Sequence, residues 1–79
     1  MEVNGYKVII EDYDVWKNKM ANLEIRAKDK AEDIISMYER DGNHDVMIVG
    51  ADIVDNEYWE ISIEPENKIV RCRFCIKNL

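Results

Sequence analysis

The chain reads as a small α+β fold, one central helix packed on a mainly antiparallel sheet, and three observations predict it. Residues 58–64 and 69–77 form two rows of alternating apolar and polar side chains joined by a short polar turn. Residues 29–40 repeat their apolar side chains at helical spacing, and the runs 6–10 and 46–54 are rich in β-branched residues. With 79 residues, the expected organisation is a single small acidic domain spanning 1–79. A core of this size buries only a little over ~60% of the unfolded surface.

Tyr6-Lys7-Val8-Ile9-Ile10 supplies the first strand. Asn4-Gly5 before it is a turn signal, but the chain upstream is too short for an expected hairpin. The acidic group Glu11, Asp12 and Asp14 ends the strand. The helix is best defined over 29–40, where Ala31, Ile34, Ile35 and Tyr38 share one face, Asp29 and Glu32 suggest a capping box, and Gly42 stands where a helix stops. Residues 15–28 admit two readings. Trp16, Met20, Leu23 and Ala27 continue the helical spacing, with Glu24 and Lys28 placed to pair four apart, whereas Ala21, Leu23, Ile25 and Ala27 alternate as in a strand. Helix propensity favours one helix from 15 to 40, although at ~39 Å it would overhang strands of ~26 Å unless it breaks near Lys28.

The C-terminal half predicts a three-strand meander over 46–54, 58–64 and 69–77. A four-residue turn at 65–68 pairs Glu64 with Ile69, which stacks Trp59, Ile61 and Ile63 against Phe74, Cys72 and Val70 on one face, with Ile76 continuing the apolar row. The same register sets Glu60 against Arg73 and Ser62 against Arg71 on the other face, so the charges match as well. Pairing 54 with 58 would add Met47, Val49, Ala51 and Ile53 to the core face. It leaves Val46, Ile48, Val54 and Tyr58 on an outer face too apolar to stay wet. That face is expected to be covered by the N-terminal segment or by a second subunit, and it is the candidate docking or homodimer surface.

Charge is unevenly spread. Asp41, Asp45, Asp52, Asp55, Glu57, Glu60, Glu64 and Glu66 fall in one stretch, 41–66, that contains no Lys or Arg, while the whole chain carries −6. Such a face attracts basic surfaces and disfavours direct contact with nucleic acid or anionic membranes. The candidate partner-binding residues are Asp52, Asp55, Glu57, Glu60, Glu64 and Glu66. Arg71 and Arg73 would partly neutralise the row where the strands pair.

Signals for chemistry are sparse. Cys72 and Cys75 have a CxxC spacing, but on a strand they point to opposite faces with α carbons ~10 Å apart, too far for a disulfide. Two Cys and one His fall short of a four-ligand zinc site. Asp41-Gly42-Asn43-His44-Asp45 lacks the glycine and the bidentate glutamate of a calcium loop and reads as a helix-ending turn. His44 beside Ser36, Ser62 or Cys75 builds no nucleophile–base–orienter set. The expectation is a cytoplasmic, non-enzymatic protein without metal or cofactor, since no apolar run spans a membrane, the N-terminus is no signal peptide and the thiols are few.

Two functions follow as expectations. One is an inhibitor that occludes a basic surface of a partner protein, such as the nucleic-acid channel of a nuclease or other nucleic-acid enzyme. In composition alone the chain is similar to small acidic phage inhibitors, anti-CRISPR proteins among them, and to toxin-immunity proteins; no motif carries that likeness and no residue is transferred. The other is a structural or regulatory subunit that dimerises or docks through the apolar outer face.

Overall fold

A computed structural model describes residues 1–50 and 56–77. The chain is α+β. Among the described residues, a five-stranded sheet in the order β1-β2-β5-β4-β3 carries one long helix on a single face. The strands are β1 (Glu2–Val3), β2 (Tyr6–Ile10), β3 (Met47–Gly50), β4 (Glu57–Glu64) and β5 (Ile69–Ile76). The helices are α1 (Tyr13–Trp16) and α2 (Leu23–Asp41). β3, β4 and β5 form the antiparallel meander, and β2 joins β5 in parallel, which makes the sheet mixed.

The β4–β5 register is the one the alternation predicts, from Glu64↔Ile69 through Ile61↔Cys72 to Trp59↔Phe74. The turn at 65–68 closes with the Asn67 amide donating to the Glu64 carbonyl and Lys68 in a left-handed conformation. Val70, Cys72, Phe74, Trp59, Ile61 and Ile63 are all buried. Ile76 shares their row but lies at the end of β5 and is 46% exposed, so it is not part of the core.

The helix departs from the expected 15–40 span. One turn ends at Trp16, and α2 begins at Leu23 after Asn22, which is left-handed at φ 57°. Asp29 and Glu32 are therefore interior helix residues and form no cap. The break lies upstream of Lys28, and its reason is length. Nineteen residues make a helix of ~28 Å, close to the ~26 Å of an eight-residue strand. The intervening turn folds Trp16 over the sheet, where its ring meets Phe74 edge-on at 4.9 Å. Glu24 takes the Tyr13 hydroxyl at 2.8 Å rather than pairing with Lys28. At the other end Gly42, φ 70°, donates its N–H to the Tyr38 carbonyl, the expected stop.

Two further corrections concern the sheet edges. β1 and β2 do form a hairpin, with Val3 opposite Tyr6 and both buried. Asn4 and Gly5 both hold positive φ, the geometry of a type I′ turn, so a two-residue strand before them suffices. On the other side Gly50, not residue 54, pairs with Tyr58. The slip of four residues is even, so Met47 and Val49 keep the core face and Ile48 the outer one. Ala51, Asp52, Ile53, Val54 and Asp55 lie outside the described residues.

The helix meets the sheet through small residues. Ala27 and Ala31 are fully buried, and the Cys72 thiol sits 3.6 Å from the Ala27 carbonyl. Ala31→Leu would overpack this contact and should cost about 1–3 kcal/mol, read as a lower urea midpoint at unchanged slope.

Candidate functional site

The four acidic candidates among the described residues do not converge on one patch. Glu60 and Glu64 project from the uncovered face of β4, where β5 supplies their counterions: Arg73 stands 3.5 Å from Glu60 and Arg71 2.8 Å from Glu64. Arg71 also reaches Glu11 at 3.6 Å. Glu57 opens β4 and Glu66 lies in the turn beyond its last residue, so roughly 23 Å of strand separates the two ends. Asp52 and Asp55 lie outside the described residues. The middle of the expected row is thus ion-paired, as the alignment with Arg71 and Arg73 implied. Glu57 and Glu66, among the described residues, stand without a cation within 4 Å.

Arg71, and after it the Asn67 amide, holds the Glu64 carboxyl below its ordinary 4.5. A lowered carboxylate contributes stability that is complete above 4.5 and is lost as the pH falls through the lower folded value. Arg71→Ala should return Glu64 toward 4.5, which a carboxyl-carbon NMR titration would show. A Glu64 midpoint unchanged by that variant would mean that the pair is not formed in solution.

A second acidic surface escaped the reading along the chain. α2 exposes Glu24, Asp29, Glu32, Asp33 and Glu39, against Lys28 and Arg40 on the same side. Arg40 is occupied by Asp41 at 3.0 Å. Arg26 turns inward and lies over the rings of Trp59 and Phe74 at 6.0 and 5.9 Å. Among the described residues none of those five carboxylates has an ion-pair partner. Residues 15–40 sum to +1 along the chain, so the outward carboxylates stand out only once a helical wheel begun at Leu23 turns Arg26 away from them, with Lys28 and Arg40 remaining on their side.

The uncovered sheet face is mixed in character. Val46 and Ile48 are 58% and 60% exposed, Tyr58 is half-buried, and Val54 lies outside the described residues. The N-terminal segment does not cover this face, because β2 extends the sheet beside β5 instead. Nearby, a concavity of about 430 Å³ is bordered by Glu11, Glu60, Arg71 and Arg73, whose charges satisfy one another.

Both cysteines are free thiols on opposite faces of β5, one buried and one half-buried. Burial pushes Cys72 up to about 12. Burial and the Glu60 carboxylate 3.1 Å away also raise Cys75. Iodoacetamide at pH 8 should therefore label Cys75 slowly and Cys72 only after unfolding, as peptide mass spectrometry would record. His44 follows the end of α2, beside the β4–β5 turn, with Nδ1 3.3 Å from the Gly42 carbonyl. Cys75 lies near the opposite end of β5, roughly 20 Å along the strand, so the two cannot form a thiol–imidazole pair. Among the described residues no three Cys, His, Asp or Glu side chains are grouped as metal ligands, and no helix is long and apolar enough to cross a membrane.

No protein-family model matches the chain, and neither a curated protein nor a solved structure matches it significantly.

Proposed function

We propose that this protein is a non-enzymatic cytoplasmic binding protein that occludes a basic, nucleic-acid-binding surface of a partner protein. The observation that carries the reading is the sorting of charge by the fold. α2 turns Arg26 onto aromatic rings and sets Glu24, Asp29, Glu32, Asp33 and Glu39 toward solvent. Carboxylates spaced along a rigid helix can meet the Arg and Lys that a nucleic-acid channel reserves for phosphates. Glu57 and Glu66 extend the acidic surface to the two ends of β4, Asp52 and Asp55 remain in the set, and Glu60 and Glu64 contribute less because Arg73 and Arg71 already hold them. The placement in the cytoplasm is supported by two cysteines too far apart to bridge. Affinity capture with two variants tests the reading: Glu32→Lys with Asp33→Lys, and Asp52→Lys with Asp55→Lys and Glu57→Lys. Both should lose the partner, and full capture by both would reject occlusion.

The exposure of Val46 and Ile48 favours a second reading, a subunit that dimerises or docks through the uncovered sheet face. In that case Ile48→Lys should lower the mass seen by sedimentation equilibrium or release the partner. The acidic variants should then bind normally.

A further inference from the structure

We propose that the groove between the C-terminus of α2 and the β4–β5 turn receives an arginine side chain of the basic partner. The proposal rests on the occlusion reading and assigns it a specific contact. The groove encloses about 490 Å³ and is bordered by Tyr38, Gly42, His44, Ile63, Pro65 and Glu66. Ile63 and Pro65 give it apolar surface. Tyr38 and His44 give it two aromatic rings, 6.3 Å apart and inclined at 72°.

Its polar groups favour a cation. The C-terminus of α2 contributes the partial negative charge of carbonyls that have no helical partner. Glu64 is committed to Arg71 at 2.8 Å and to the Asn67 amide at 3.2 Å. Glu66, in contrast, is exposed and has no ion-pair partner among the described residues. A site with apolar and aromatic walls, one available carboxylate and a helix C-terminus suits a flat cation on an aliphatic stem. A guanidinium can stack on the rings and bind the Glu66 carboxylate through two N–H groups, which an ammonium cannot do. Of the two other concavities among the described residues, the one bordered by Glu11, Asp12, Glu60, Arg71 and Arg73 already holds two arginines that would repel a further cation, and in the one bordered by Val8, Ile10, Tyr13 and Glu24 the carboxylate already accepts the Tyr13 hydroxyl.

Titration of the ¹⁵N-labelled full chain with N-acetylarginine amide tests the assignment. Saturable shifts should appear at Gly42, His44, Glu66 and Asn67, with a dissociation constant on the order of millimolar. N-acetyllysine amide should bind roughly threefold or more weakly. Glu66→Gln, an exposed change that leaves the fold intact, should weaken the arginine probe roughly three- to tenfold, and Glu2→Gln, exposed on β1, should not. Shifts spread evenly over the helix face, no saturation below about 50 mM, equal binding of the lysine probe, or indifference to Glu66→Gln would each overturn it. The two readings separate cleanly. Capture of a basic partner by Glu66→Gln at native strength removes the groove and leaves occlusion standing. Specific arginine binding by a protein that captures no basic partner does the reverse.

Discussion

Reversal of Glu32 and Asp33 to Lys is expected to weaken capture of the basic partner about thirtyfold at low salt. Each reversal replaces an attraction by a repulsion, and two such changes at a rim are together worth about 2 kcal/mol. Neither residue touches the core, because both are exposed on the solvent side of α2, so stability should stay within about 0.5 kcal/mol. Net charge must be controlled for. Two reversals take −6 to −2, and Glu2→Lys with Asp14→Lys changes it by the same amount away from the helix face. Titration calorimetry or surface plasmon resonance against the captured partner distinguishes the two. The control pair should bind within about threefold of native. An equal loss from both pairs would show that only total charge matters and that α2 presents no particular surface.

The second large effect is on stability. Trp59 is fully buried at the centre of the core, its ring 5.1 Å from Phe74 and covered by Arg26. Trp59→Ala should cost about 3–5 kcal/mol. A domain of this size holds about 4–12 kcal/mol in all, so the variant should be largely unfolded at 37 °C. Far-UV circular dichroism in urea reads this directly. Ile48→Ala, on the exposed edge strand, should shift the midpoint little. A Trp59→Ala transition at the native urea concentration would contradict the core described above.

What could be read in the chain was the part governed by strict alternation. Trp59, Ile61 and Ile63 against Val70, Cys72 and Phe74 leave one workable register, because a one-residue slip would turn one strand's three to water. β3 offers no such constraint beyond parity. Met47–Gly50 carries no charge to match across the pair, so its face was legible and its register was not. The break before Leu23 depends on distant geometry, namely the length of the sheet and the meeting of Trp16 with Phe74, which no local window contains. The N-terminal hairpin was missed because Asn4-Gly5 can turn the chain with only a two-residue strand before it.

The candidate surface was legible in the same partial way. The run from Asp41 to Glu66 is acidic along the chain, yet folding brings Arg71 and Arg73 beside Glu64 and Glu60. Conversely, Asp29, Glu32 and Asp33 sit among Arg26, Lys28 and Lys30 in sequence, and the turn of the helix takes Arg26 inward while Lys28 stays exposed on their side. Charge summed along a chain measures a surface only after the fold has sorted it.

The most direct test of an electrostatic occluding function is the salt response of the native protein. The tagged chain would be incubated at low ionic strength with lysate of its own cell, and bound proteins eluted in a salt gradient. Occlusion predicts a basic nucleic-acid enzyme that leaves the column at moderate salt, where screening over ~8 Å cancels the attraction. Recovery of the chain alone, or of a partner that resists high salt, would contradict it and assign the binding to the apolar sheet face.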